Sequence, residues 1–312
     1  MYLRSYGKIN LVLEVLSKRE DNYHNISSIF SLVNIYDDVY INLKRNSKWE
    51  LVLDVNNLEL MKSNILFRLI NNLNRYKELK GFLLEVKLIK RIPIGGGLGG
   101  GSANAATILF YLFIKNIINL KIAKELALKL GADVFPIFIL YLFKFLYKKN
   151  ILVLNLGRQD IVVPLVHNYI NPYYILFIFP NISISTKRAF ELLSKDQKKL
   201  NLIGPKTKDF LIYFREKKIL DYNFFYNEFE RVVLLEYCNI DLVKNIVEEI
   251  LRDIGIKEYR FLLSGSGSTL LFFIPKKYKK NEVINDFNKR YMKLSQKELF
   301  NLKKGFIFGE VF

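Results

Sequence analysis

Six of the chain's 16 glycines fall within Gly95-Gly96-Gly97-Leu98-Gly99-Gly100-Gly101, and the stretch continues as Ser102-Ala103-Asn104-Ala105-Ala106. Glycine loses more conformational entropy on folding than any other residue, so a loop with only a structural role rarely concentrates it in this way. In return it lets backbone approach a ligand closely and adopt positive φ. Apolar alternation before Pro93 predicts a strand entering this loop, and the run after Ser102 predicts a helix leaving it. Unpaired backbone N–H groups and the positive end of a helix dipole would then converge on one place, an arrangement that binds phosphate.

Spacing separates the competing phosphate motifs. A Walker loop needs Lys and Ser or Thr directly after its last glycine, and no lysine lies between Pro93 and Ala106. Gly95, Gly97 and Gly100 match the Gly-x-Gly-x-x-Gly dinucleotide fingerprint in form. That fold also requires an acidic residue about 20 positions further on to hold the ribose, and residues 105–124 contain none. A flexible linker is argued against by the flanks, which are apolar strand and helix text rather than polar text.

At 312 residues the chain is long for one ordinary domain and fits two of about 150 residues. Hydrophobic residues at 51% and charged residues at 25% argue against disorder and against collagen-like or disulfide-stapled scaffolds. Alternation predicts strands over 9–15, 39–43, 50–55 and 82–92, with Phe82, Leu84, Val86 and Leu88 on one face. Helical spacing follows Asn64 and Ser102, and a third helix over 121–130 ends at Gly131, a C-terminal stop. Beyond lie an extended apolar stretch at 173–180, helical stretches from Thr186, Phe224 and Asp241, and strand-like text over 261–274 broken by glycines. No repeat and no Pro, Gly or Ser-rich linker is visible. Strands and helices mix in both halves, and the interval from Pro164 to Pro172 is the expected boundary between domains 1–163 and 164–312.

Lys plus Arg number 48 against 30 Asp plus Glu, a net charge of +18. Such a balance raises the suspicion of nucleic acid, yet the basic residues are spread through every segment. The runs Lys276-Lys277-Tyr278-Lys279-Lys280 and Lys198-Lys199 are short, whereas a dedicated binder gathers its cations into one stripe. The joint abundance of Lys, Asn, Ile, Tyr and Phe fits codon bias in an AT-rich genome, and anionic substrates would still benefit from the field. The single cysteine, Cys238, can form neither an internal disulfide nor a thiolate cluster; it is expected as a half-buried apolar residue in a reducing cytoplasm. The first eight residues show no apolar core or transit-like composition, which predicts no export signal. Residues 134–143 fall short of the roughly 20 apolar residues that span a bilayer, and are expected as buried core.

The pattern Pro-x-Gly-Gly-Gly-Leu-Gly-Gly-Gly-Ser-x-Asn-Ala-Ala at 93–106 resembles the nucleotide loop of the GHMP kinases, which phosphorylate galactose, homoserine, mevalonate and phosphomevalonate. Its triple-Gly, Leu, triple-Gly form looks like the branch acting on 4-diphosphocytidyl-2-C-methyl-D-erythritol in the non-mevalonate isoprenoid pathway. Other segments agree in order. Tyr6-Gly7-Lys8-Ile9-Asn10-Leu11 resembles that family's Ala-Lys-Ile-Asn-Leu, and Asp21-Asn22-Tyr23-His24 resembles its Asp-Gly-Tyr-His. Asn64-Ile65-Leu66, Gly131-Ala132-Asp133-Val134 and Leu263-Ser264-Gly265-Ser266-Gly267 resemble its adenine-side helix start, its Gly-Ala-Asp-Val and its third glycine motif; the segment from Pro180 to Thr186 looks like the one supplying a threonine to the substrate. Asn22 and Ala103 replace a glycine and a serine of the family, both tolerable changes. After Val134 the order Phe135-Pro136 and the absence of glycine through 137–156 depart from the family, which puts its Gly-rich hairpin in question.

This resemblance implies a two-domain α+β GHMP kinase fold, with residues 1–163 as an N-terminal ATP-binding domain of ribosomal-protein-like topology and 164–312 as a C-terminal α/β sandwich. It implies ATP and Mg²⁺ as cofactors. Asp133 would orient or deprotonate the substrate's 2-hydroxyl, with Lys8 offsetting charge on the transferred group. Asn64, Pro93, Gly95, Gly96, Gly97, Leu98, Gly99, Gly100, Gly101 and Ser102 would hold ATP; Asn10, Tyr23, His24 and Thr186 would hold the substrate, a stacked ring and a hydrogen-bonding imidazole gripping the cytosine. Ser264, Gly265 and Gly267 form the third glycine motif. Ser102 would approach the metal, with no acidic protein ligand evident. The expected partner is a small cytidine diphosphate-linked methylerythritol, with no specific nucleic acid and no membrane, in a monomer or homodimer. Three alternatives stand beside it. A homoserine or mevalonate type kinase has no use for Tyr23-His24, a basic RNA-binding protein could share the topology, and a catalytically decayed copy would explain the text after Val134 but not the intact loop, Lys8 and Asp133.

Overall fold

A computed structural model describes residues 1–21, 23–57, 59–62, 64–166, 168–180, 182–193, 202–295 and 306–311. Asn22, Asn181, the Lys198-Lys199 pair and position 167 of the expected boundary lie outside these residues. In chain order the elements are β1 (Tyr2–Lys18), β2 (His24–Arg45), β3 (Glu50–Val55), α1 (Glu59–Lys62), α2 (Ile65–Leu73), β4 (Phe82–Ile89), α3 (Gly100–Ile114), α4 (Leu120–Leu130), α5 (Val134–Tyr141), a π-helical turn (Leu142–Leu146), β5 (Leu152–Gly157), β6 (Ile161–Leu165), β7 (Tyr173–Ile178), α6 (Thr186–Leu192), α7 (Pro205–Lys217), β8 (Tyr226–Asn227), α8 (Phe229–Glu236), α9 (Cys238–Asp253), β9 (Arg260–Leu263), β10 (Leu270–Pro275), α10 (Lys280–Ser295) and β11 (Phe306–Gly309). They form two compact units, and the chain passes between them repeatedly. The first unit is Met1–Lys8, Phe30–Ile94 and Gly99–Val166; the second is Ile9–Ile29, Gly95–Leu98 and His167–Phe312.

In the first unit β4 is the strand its sequence predicts. Leu84, Val86 and Leu88 are buried while Lys87 between them is exposed. It pairs antiparallel with β2 from Asp38↔Ile89 to Arg45↔Phe82 and parallel with β3 from Glu50↔Leu83 to Val55↔Leu88. Helix α3 is apolar on every side, and Ala103 through Leu112 are all buried, as befits a helix enclosed by α2, α4 and α5. The glycine-free text after Val134 is used in α5, buried almost throughout, and in the π-helical turn; an antiparallel hairpin of β5 and β6 then follows, registered from Leu152↔Leu165 to Leu156↔Ile161. Among the described residues no helix is long and apolar enough to cross a membrane.

The second unit is built on an antiparallel sheet of order β11-β7-β10-β9. Leu176, Ile178, Leu263, Leu270 and Phe272 from that sheet share a core with Val233, Ile240, Val247 and Leu251 from α8 and α9. The second half of β1 pairs parallel with β8 at Val12↔Tyr226 and Leu13↔Asn227. Glu14, buried on β1, caps α7 from outside the helix: its carboxylate accepts Lys206 N at 3.1 Å, Thr207 N at 2.8 Å and Thr207 Oγ1 at 2.8 Å. The cap position itself is Gly204, where a Cβ would lie 2.2 Å from Glu14 Oε2.

Several expectations are corrected. Helix α3 begins at Gly100 rather than Ser102, its cap residue being Gly99 in the left-handed region at φ 66. Gly131 does end α4, as expected, with extended backbone at φ 169. The helix expected at Phe224 is a 3₁₀ turn over Tyr222–Phe224, and the true helix starts at Phe229 after β8. Cys238 is exposed, not half-buried. It opens α9 on the face opposite Ile240, Val243 and Val247, which take the core.

Candidate active site

The first unit brings the proposed catalytic pair together. Lys8, on β1, is 5% exposed at its side chain, and its Nζ stands 3.4 Å from Asp133 Oδ2. A buried ammonium is costly without compensation; here it has that carboxylate and the face of the Phe30 ring, 4.6 Å from the centroid. Asp133 is the residue before α5, yet its side chain makes no capping bond. Its carboxylate is 26% exposed and faces the lysine. The pair lies against the glycine loop: a Cβ on Gly99 would meet Lys8 Cγ at 3.1 Å and Cε at 3.2 Å. With φ 66 as well, position 99 admits little but glycine.

Helix α3 leaves this point with no side-chain cap and no acidic residue in its first turn. Its leading N–H groups and the positive end of its dipole favour an anion at this end. Around Gly101 the space is open, since a Cβ there would find nothing within 4 Å. Ser102 Oγ lies 4.0 Å from where a Cβ on Gly131 would be, so its hydroxyl borders the turn that carries Asp133. No three His, Cys, Asp or Glu converge among the described residues. A Mg²⁺ ion held mainly by phosphate oxygens and water asks the protein for only one or two oxygen donors, and the Ser102 hydroxyl is the donor at hand. Asn64 is buried as the cap of α2, its Oδ1 accepting Leu66 N at 3.1 Å. Pro93 is half-buried at the loop entrance.

The second unit brings the first half of the loop to the third glycine motif. Thr269 N donates to Gly96 O at 3.4 Å. A Cβ on Gly97, at φ 77, would lie 1.9 Å from Ser264 O and 3.0 Å from Gly267 O. Leu98 is buried and Gly95 faces Ser183 Oγ. Asn227 Nδ2 holds the motif from below, donating at 2.7 Å to both Leu263 O and Gly265 O.

The proposed substrate residues lie in this unit too. His24 stacks on Phe190 with centroids 4.6 Å apart and planes within 14°. Burial, assisted by Lys18, holds its imidazole below the usual range, so the ring is neutral near pH 7 and can both donate and accept. Tyr23 is 51% exposed, its backbone N donating to Asp21 Oδ1 at 3.1 Å. Thr186 Oγ1 stands 3.1 Å from Ser266 Oγ. Asn10 is buried and donates to Ser28 Oγ at 2.7 Å. Phe190 escaped the sequence reading, and Ser266 entered it only as part of the third glycine motif. Phe190 is one aromatic among 25 phenylalanines, and only the fold reveals which ring meets the imidazole.

Residues 64–139 match the family model described as GHMP kinases N terminal domain. The 4-diphosphocytidyl-2-C-methyl-D-erythritol kinase of Petrotoga mobilis is 33% identical over 272 residues, covering 86% of this chain and 97% of its own. The enzyme of the same name from Fervidobacterium nodosum is 34% identical over 279 residues, 86% of this chain and 88% of its own. Among solved structures, a 4-(cytidine 5'-diphospho)-2C-methyl-D-erythritol kinase matches with TM-score 0.66 at 22% identity, over 100% of this chain and 99% of that one. The Lactococcus lactis galactokinase complexed with galactose matches with TM-score 0.58 at 14% identity, over 99% and 92%. The fold is thus the α+β GHMP kinase fold that the glycine loop led one to expect.

Proposed function

The chain belongs to the 4-diphosphocytidyl-2-C-methyl-D-erythritol kinase family, and from that premise we propose that it transfers the γ-phosphoryl group of ATP to the 2-hydroxyl of 4-diphosphocytidyl-2-C-methyl-D-erythritol. It is a phosphotransferase with an alcohol acceptor, serving the non-mevalonate route to isoprenoid precursors. The observation that carries the residue assignment is the Lys8–Asp133 pair set against Gly99. Phosphoryl transfer asks for in-line positioning and neutralisation of charge on the phosphoryl oxygens more than for covalent chemistry. Asp133 receives or orients the proton of the attacking hydroxyl, and Lys8 keeps that carboxylate in place while offsetting negative charge nearby. The N–H groups at the start of α3 and the backbone of Gly95–Leu98 hold phosphate oxygens; Mg²⁺, when bound, would add charge neutralisation there, with the Ser102 hydroxyl as its protein donor.

Tyr23 and His24 recognise the cytosine, the neutral imidazole hydrogen bonding to its edge and Phe190 fixing the plane of that imidazole. Asn10 and Thr186 complete the substrate contacts, and Asn64 and Pro93 border the adenine. Residues 1–163 are assigned to the ATP-binding domain and 164–312 to the second domain; the last passage of the chain between compact units at Val166 supports that boundary, while Ile9–Ile29 and Gly95–Leu98 belong to the second compact unit. The reading includes a cytoplasmic enzyme, monomer or homodimer, without a nucleic-acid or membrane partner.

Mass spectrometry of purified protein incubated with MgATP and 4-diphosphocytidyl-2-C-methyl-D-erythritol, beside homoserine and mevalonate, tests it. One phosphoryl added to the cytidine substrate alone is the expected result. Phosphorylation of homoserine or mevalonate instead would overturn the substrate assignment.

A further inference from the structure

A buried carboxylate outside the Lys8–Asp133 pair joins both flanks of the glycine loop. Asp37, on β2, is wholly buried. Its Oδ1 accepts Arg91 N at 2.7 Å and Ile92 N at 2.9 Å; its Oδ2 accepts Asn104 Nδ2 at 2.9 Å and, in a short contact, Lys90 Nζ. Lys90 Nζ also donates to Asn104 Oδ1 at 3.0 Å, closing a ring of three side chains. Residues 90–92 are the last before Pro93 and the loop, and Asn104 lies in the second turn of α3, where the loop ends. One side chain therefore ties the entry to the exit. The tie reaches the glycines themselves, since a Cβ on Gly100 would stand 3.0 Å from Ile92 Cγ2 and 3.2 Å from Lys90 Nζ.

A phosphate site made of backbone N–H groups has no side chain to readjust, so its geometry is inherited from the segments that anchor it. Hydrogen bonds to a buried carboxylate are charge-assisted and strong, and fewer than four donors would leave part of that charge uncompensated. We propose that Asp37 is a positioning residue for the nucleotide: through Lys90, the 91–92 backbone and Asn104 it fixes the strand end and helix start that present N–H groups to the diphosphate and triphosphate of the nucleotide. This rests on the kinase reading of the loop and extends it to a residue that touches neither reactant.

Calorimetric titration of MgADP and of adenosine into wild type and Asp37→Asn tests the proposal. Asparagine keeps the shape and one acceptor but turns an N–H₂ toward Asn104 and Lys90. MgADP affinity is expected to fall about ten-fold or more, the worth of a lost charge-assisted hydrogen bond, while adenosine affinity is unchanged, because only phosphates sense the loop. In turnover, kcat falls by on the order of a hundred-fold, the cost of misplacing a reactant by about 1 Å, with the KM of the cytidine substrate unchanged. Equal losses for MgADP and adenosine would indicate general loosening and overturn the proposal, as would wild-type MgADP binding. If Asp37→Asn does not fold, Asn104→Ala carries the same test: it cuts the helix side of the tie while Asp37 keeps Lys90, Arg91 and Ile92, and unchanged MgADP affinity there refutes the role. Wild-type protein that binds no MgADP would refute the kinase reading itself, a result distinct from unaffected variants.

Discussion

Asp133 and Lys8 are separated by 125 positions in sequence and by 3.4 Å in space. Nothing in either local text announces the pairing; the family pattern did. Asp133→Asn keeps size and polarity but cannot take up a proton, so kcat should fall by about 10² to 10⁴, the range for loss of a general base, with the affinity for ATP unchanged. Steady-state kinetics with nucleotide titration separate the two, and an Asp133→Asn enzyme of normal kcat would remove it from the mechanism. For the cytosine, Tyr23→Ala together with His24→Ala should raise the KM of the cytidine substrate and leave that of ATP alone; equal rises would mean lost folding. His24 adds a pH signature. Its lowered pKa keeps it neutral through pH 7, so the KM of the cytidine substrate should rise only as acid drives the pH below the ordinary imidazole range, and His24→Gln should abolish that rise.

Among the elements, those announced by a local chemical signal were legible in sequence. β3 falls where alternation put it, over Glu50–Val55, and α2 begins after Asn64 because a side-chain oxygen there accepts Leu66 N. β1 and β2 run to 17 and 22 residues, well past their expected spans, because most of their residues are buried on both faces and alternation vanishes. Helix α7 was missed altogether. Its N-terminus has Gly204 and Pro205 in place of a capping side chain, and the cap comes from Glu14, 190 positions earlier, which no window of sequence can show. Glu14→Ala would strand the buried N–H and hydroxyl of Thr207 and the part-buried N–H of Lys206, at a cost of about 2 to 4 kcal/mol. Urea unfolding measures it, and a loss under about 0.5 kcal/mol, the level of an ordinary surface change, would mean that α7 needs no such cap.

At the level of the whole molecule, stability should carry the imprint of Glu230. This side chain accepts Leu263 N at 3.1 Å beside the third glycine motif, and burial pushes its carboxyl up to about 7, although Arg260 stands 3.9 Å away and opposes the shift. With a folded pKa above the unfolded one, the native state holds the proton between about pH 4.5 and 7 while the unfolded chain does not. Stability contributed by this group is therefore full at the acid end, declines as pH rises through that window by about 3 kcal/mol in total, and levels off above it. Glu230→Gln, which keeps the acceptor for Leu263 N, should flatten the decline in urea unfolding followed across the window; parallel curves for wild type and variant would refute it. The interleaving of the two units bears on synthesis as well. Ile9–Ile29 leaves the ribosome early, yet the unit it joins is not complete until the residues beyond position 167 have followed, and the partners of Val12 and Glu14 are made some 190 to 210 residues later. β2 covers one edge of β1 at once, but until then the edge facing β8 and the carboxylate of Glu14 wait without those partners in the nascent chain, so a pause in translation after Val166 would prolong the interval in which that edge can pair with the wrong neighbour.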